Sequence, residues 1–284
     1  MDINIRDAIT EMLKLQYIHN NESNGYIWVY DRCKNGKAID WDLCFDMELA
    51  ELLNSYNWKH WTSLMGVKDI NNAKIEIVDL WHFIMSKAIA THVASLINKD
   101  LEAIEGYDKS KIKSDRDLQP YLDKVAVSSE GFIKKVLDSM HEVTEALQLD
   151  ILIPAQIAKL KEAELYDSVM TNDFFITMLK DYVKHTSDFD KNKFAIYGKF
   201  NTILVYATCL YGFDLRELYK LYIGKLALNA FRQEHGYQDG SYKKIWNGRE
   251  DNAVMMDIVA QCSGGEYTLD NVKKMLEEEY SKTK

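Results

Sequence analysis

The chain has little of what interrupts or cross-links a helical fold. Its 284 residues include only two prolines, Pro120 and Pro154, and thirteen glycines, so long stretches carry no residue that must break a helix. Cys33, Cys44, Cys209 and Cys262 lie far apart, with no C-x-x-C pair and no Cys/His cluster. They read as ordinary intracellular thiols rather than a disulfide framework. There is no basic excess: 44 acidic residues face 35 lysines and arginines, a net charge of −9. Duplex nucleic acid draws on clustered Lys and Arg that displace phosphate counterions, so it is not expected as a partner. A small anionic ligand remains open, because local bases and a metal can oppose the global charge. The longest uncharged apolar run, near Thr202 to Phe213, is too short to cross a bilayer. The opening MDINIRDAITEM lacks the basic region and apolar core of a secretion signal. A cytoplasmic protein with no membrane partner is expected.

What is present is helical periodicity. Apolar residues make up 47% and charged residues 28%, ordinary for a globular protein, and the apolar positions recur at helical spacing nearly throughout. The expected fold is all-α: a multi-helix bundle carrying two acidic helices, in a single domain over residues 1–284. The polar stretch from Lys99 opens an accessory helical region to about residue 191. A first helix is expected from Asn4 to about Asn20, closed by the polar HNNESNG. Tyr26 to Trp41 reads as a short strand or an irregular packed segment. Further helices are expected over Tyr121–Leu149, Ala155–Leu165, Thr171–Phe189 (followed by a loop rich in Asp and Lys) and Phe194–Tyr211, and one from Thr268.

The chemistry concentrates between Phe45 and Ile97. FDMELAELLN places Glu48 and Glu51 three residues apart, and KIEIVDLWHF does the same with Glu76 and Asp79. At ~100° per residue each pair shares one helical face. Either pair alone fits a solvated face, as Glu142 and Glu145 do further on. Two pairs on consecutive helices, the second among Ile75, Ile77, Leu80 and Phe83, point to carboxylates turned inward. Buried carboxylates repel unless a cation sits between them, and Mg²⁺, a hard ion that prefers oxygen ligands, suits that need. Trp58, His60 and Trp61 form an aromatic corner that fits either core or the cover of a flat ligand.

A later helix begins at Asp214, with Glu217 completing a possible capping box. Arg216, Glu217 and Lys220 lie on one side of it, and Lys225, Asn229 and Arg232 on the side roughly opposite. One stripe can face solvent; the other suits a ligand carrying negative charge. Next, EHGYQDGSYKKIWNGREDN combines Gly236, Gly240 and Gly248 with Tyr237, Tyr242, Lys243 and Lys244, the composition of a closing loop. On spacing alone, Gln16 and Asn20 are simple surface amides.

FDMELAELLNSYNWKHW, KIEIVDLWHF and YIGKLALNAFRQEHGYQDGSYKKIWNGREDN, in that order, resemble the motifs of the dimeric, all-α dUTP diphosphatases, and LQYIHN resembles that family's N-terminal motif. The resemblance implies an all-α homodimer with Mg²⁺ held by Glu48, Glu51, Glu76 and Asp79. It implies hydrolysis of dUTP, and also dUDP, to dUMP, with Glu51 orienting or deprotonating the water. Lys225, Arg232, Tyr237, Lys243 and Asn252 would then hold phosphates. Gln16, Asn20, Trp61, His82 and Phe83 would surround the base, with Asn229 near the sugar or α-phosphate. His82, in D-x-x-H, is not expected as an iron ligand, because di-iron bundles use Glu-x-x-His from two helices. Broader specificity that includes dCTP, and a non-catalytic nucleotide-binding protein, are the alternatives.

Overall fold

The computed structural model describes residues 4–62, 66–112, 114–184, 195–262 and 267–283. In chain order its helices are α1 (Ile5–Asn24), α2 (Trp41–Asn54), α3 (Ile70–Glu102), α4 (Asp115–Val125), α5 (Glu130–Leu147), α6 (Leu149–Glu162), α7 (Tyr166–Val169), α8 (Asn172–Lys184), α9 (Ala195–Tyr211), α10 (Leu215–Glu234), α11 (Asp251–Gln261) and α12 (Leu269–Tyr280). Among the described residues the one sheet is a two-residue hairpin, β1 (Ile245–Trp246) antiparallel to β2 (Arg249–Glu250). The all-α expectation holds.

The chain divides into two compact units: Met1–Ala8, Phe45–His82 and Leu149–Lys284 form the first, and Ile9–Cys44 with Phe83–Gln148 the second. The stretch 99–191 is therefore divided at Leu149 between the two.

In the first unit α10 is the spine. Leu218, Tyr222, Ile223, Leu226, Ala227, Leu228 and Phe231 are all buried, so the helix is apolar nearly all round, as a core helix must be. It packs against α11 and α12. Its approach to α11 is possible only because position 224 is glycine: a Cβ there would lie 2.5 Å from Val259 Cγ2 and 2.7 Å from Met255 Sδ. Asp214 caps α10 by accepting from the backbone N–H of Arg216 and Glu217. The carboxylate of Glu217 accepts from Lys220 at 2.8 Å. Elsewhere in the unit Trp81 stacks on Phe200, and Phe175 on Tyr206.

In the second unit side-chain hydrogen bonds join helices: Thr10 with Thr144 at 2.8 Å, and His92 with Ser139 at 2.9 Å. Met12, Leu13, Met85, Ile89, Val136 and Met140 are buried. By length and composition α3 could cross a membrane, but 56% of its most apolar window is buried, as in a core helix.

Several boundaries differ from the sequence expectation for identifiable reasons. Helix α1 does not end near Asn20 but runs to Asn24, because Asn20 is buried with a side-chain partner and Asn21 accepts from Trp28 Nε1. Gly25 at φ 72° then turns the chain. The segment after it holds a 3-10 turn, Tyr26–Tyr30, rather than a strand, with Trp28 fully buried. The single long helix expected over Tyr121–Leu149 is broken: Ala126 adopts the left-handed conformation and Ser129 starts α5 by accepting from the Phe132 N–H. Gln148 repeats the left-handed break, and α6 begins at Leu149 with Pro154 inside it, so that the Asp150 carbonyl loses its usual helical donor. Glu142 and Glu145 are exposed, as expected. The expected loop of Asp and Lys after α8 lies outside the described residues.

Candidate active site

Within the first unit α2 presents Glu48, and the first turns of α3 present Glu76 and Asp79. The three-residue spacing of the latter pair puts both on one face, while Ile75, Ile77, Val78 and Leu80 hold the helix in the core. Glu48, Glu76 and Asp79 each offer a carboxylate oxygen, and these oxygens lie within 4.8 Å of one another. Glu76 is only 6% exposed. Burial, then the charge of Asp79, push its carboxyl up to about 8, and burial, then Asp79, push that of Glu48 up to about 7. Without a cation, therefore, protons occupy this group near neutral pH.

Asp79 has a partner: Lys225 Nζ, reaching across from α10, lies 2.7 Å from Asp79 Oδ2. Two residues that the sequence reading passed over orient Glu76. Asn72 donates to Glu76 Oε1 at 2.9 Å and to Ser55 Oγ at 2.9 Å; its place four residues before Glu76 on α3 was the available signal. Glu51, expected as the fourth ligand, is exposed on α2 and lies outside the group of three. It is near enough for its charge to help raise Glu48. Three carboxylate oxygens brought this close together, two of them on residues whose ionisation burial and neighbouring charge oppose, fit a hard divalent metal.

The basic side is built from α10, the hairpin segment and α11. Lys225 is 5% exposed, so the stripe Lys225, Asn229, Arg232 is not the solvent-facing one. Lys225 Nζ also lies 3.4 Å from Asn252 Oδ1. Arg232 is held bidentately by Asp251, Nε to Oδ2 at 2.9 Å and Nη2 to Oδ1 at 2.8 Å, a pairing the sequence reading missed. Its Nη1 lies 3.5 Å from Asn229 Oδ1, and its guanidinium carbon 5.9 Å from the centre of the Tyr237 ring. Lys243 is exposed.

The expected closing loop is a packed structure. Tyr242 and Trp246 are buried against Phe231 and Tyr280, while Lys243, Lys244 and Ile245 project outward. Gly236, at φ 84°, makes the turn that a side chain would oppose.

Of the residues expected at the nucleoside, Gln16, Asn20 and Phe83 belong to the second unit. Gln16 and Asn20 are buried, not surface amides. Gln16 Nε2 donates to Asn20 Oδ1 at 3.0 Å, and Asn20 Nδ2 to Ser86 Oγ at 3.0 Å. Ser86 is a third, unforeseen member of this polar group. Phe83 packs on Trp41, with ring centres 6.3 Å apart. In the first unit His82 is buried against Tyr222 at 4.8 Å. Trp61 is 69% exposed, in a T-shaped contact with His60 and with Lys59 over its ring.

A family model described as dUTPase matches residues 8–237, which places this helical chain among the enzymes that hydrolyse nucleotides. No curated protein matches it. The matched span covers most of the chain, and the protein belongs to the dUTPase family of the dimeric, all-α type, with dUTP diphosphatase activity. Lys243, Asp251 and Asn252 lie beyond the matched residues.

Proposed function

We propose that the protein is a Mg²⁺-dependent dUTP diphosphatase that also accepts dUDP. It yields dUMP with release of pyrophosphate or phosphate, and so limits uracil incorporation into DNA while supplying dUMP for thymidylate synthesis. The observation that carries this reading is the convergence of Glu48, Glu76 and Asp79, two of them held well above the usual carboxylate range by burial and mutual repulsion. With Glu51, they would hold the ion. When bound, Mg²⁺ supplies neutralisation of the charge that develops on the phosphoryl oxygens.

The chain's own residues do the rest. Glu51, the accessible carboxylate on the same helix as Glu48, orients or deprotonates the attacking water. Lys225, Arg232, Tyr237, Lys243 and Asn252 bind the phosphates, with Asn229 beside them. Gln16 and Asn20 offer both donor and acceptor atoms to the edge of uracil, and such pairing rejects a mismatched base more strongly than apolar fit does. Trp61, His82 and Phe83 supply aromatic surface for the nucleoside. The working form is proposed to be a cytoplasmic homodimer.

The test is release of pyrophosphate from dUTP, dCTP, dTTP and UTP, and of phosphate from dUDP, with Mg²⁺ and with chelator. Turnover confined to dUTP and dUDP and abolished by chelation is expected. Equal rates on dCTP would replace the specificity with a broader one, and turnover unaffected by chelation would remove the metal.

A further inference from the structure

We infer that Asp251 is a positioning residue that sets the phosphate-binding geometry by fixing Arg232 and Asn252 together; this rests on the phosphate-binding role proposed above. The carboxylate is 2% exposed and engaged on every side. Its Oδ2 accepts from Arg232 Nε at 2.9 Å and from the Tyr242 hydroxyl at 2.8 Å. Its Oδ1 accepts from Arg232 Nη2 at 2.8 Å and from the backbone N–H of Asn252 at 2.8 Å.

The consequence is geometric. A bidentate carboxylate fixes the plane of a guanidinium as well as its position. With Nε and Nη2 committed to Asp251, the edge of Arg232 that carries Nη1 is the one turned to Asn229, at the long distance of 3.5 Å. That edge can open to an anion without breaking the pair. The same carboxylate holds the first residues of α11, so that Asn252 Oδ1 lies 3.4 Å from both Arg232 Nη2 and Lys225 Nζ. Lys225, Arg232 and Asn252 thus share one locus, reached from two helices and pinned by one buried acid. Tyr242, itself packed in the aromatic group around Phe231, ties that acid to the hairpin segment bearing Lys243.

A carboxylate spent on holding the cations would weaken phosphate binding directly, by repulsion, if it were exposed. Buried and fully paired, it instead orders them in advance, which lowers the entropy lost when the phosphates bind. Its removal should therefore be felt in proportion to the phosphates a ligand carries.

The experiment measures, by calorimetry in Mg²⁺, the affinity of the full-length protein for α,β-imido-dUTP and for deoxyuridine. In Asp251→Asn the affinity for the imido triphosphate is expected to fall at least tenfold while that for deoxyuridine stays within twofold. In an Arg232→Met background the same substitution should cost much less, only what the Asn252 contact contributes, as expected of residues that act together. Tyr242→Phe, which removes one bond to the carboxylate and keeps the packing, should lower triphosphate affinity by a smaller factor in the same direction; it serves where Asp251→Asn does not fold. Equal losses for both ligands, or an unchanged triphosphate affinity in a folded variant, overturn the inference. If the wild type binds the triphosphate no better than deoxyuridine, the phosphate-binding assignment itself falls.

Discussion

Replacing Glu76 by glutamine should weaken metal binding and yet stabilise the metal-free protein. In the unfolded chain this carboxyl titrates near 4.5, and in the folded protein near 8. Between those values the native state binds more protons than the unfolded state, so stability falls as pH rises. It is fully retained below 4.5 and lost as pH climbs through about 8. At about 1.4 kcal/mol per pH unit of separation, the loss is on the order of a few kcal/mol in metal-free protein at alkaline pH. Glutamine keeps the shape and can still accept from Asn72, but carries no charge to desolvate, so the variant should show a flatter profile. Mg²⁺ should act in the opposite sense. At a hundredfold excess over its dissociation constant it should add about 2.7 kcal/mol to the wild type and much less to the variant. Urea unfolding at pH 5, 7 and 9, in chelator and in Mg²⁺, measures both effects. A wild-type stability that does not fall between pH 5 and pH 9 in chelator, or equal Mg²⁺ stabilisation of the two proteins, would refute the reasoning.

Lys225→Met should leave the half-buried Asp79 without its cation and destabilise the metal-free protein by about 3 kcal/mol, with Mg²⁺ restoring part of the loss; thermal melts in chelator and in Mg²⁺ check this. Gln16→Leu should remove a donor to Asn20 at a cost of about 1–3 kcal/mol, and should narrow the preference for dUTP over dCTP in a competition assay. Trp61→Ala, at an exposed position, should leave the melting temperature unchanged and raise KM for dUTP with little effect on kcat. Gly224→Ala should cost about 1–3 kcal/mol through overpacking against Val259 and Met255, measured by urea unfolding.

The helical class was legible because apolar spacing survives along nearly the whole chain, and the acidic pairs because a three-residue interval on a helix has only one geometry. Asp214 could be placed as a cap from residue type alone. The breaks at Ala126 and Gln148 could not, because neither residue type announces a left-handed backbone. The division into two units was equally hidden, since each unit is assembled from discontinuous stretches. At the site, Glu48, Glu76 and Asp79 were foreseen as a group, whereas the exposed position of Glu51 depends on how α2 is rotated in its packing. Burial of Gln16 and Asn20 follows from a partner, Ser86, that is seventy residues from Gln16. Asp251 sits in the string REDN, which reads as surface charge until Arg232 is seen to face it.

Position 224 carries no charge and immediately precedes Lys225. Because α10 and α11 all but touch there, the separation between Lys225 on one helix and Asn252 on the other is gauged by the absence of a single methyl group. Drift that merely thickened this seam would push apart two side chains it never altered. The earliest trace would be a weakened grip on phosphate in a protein that still melts as one piece.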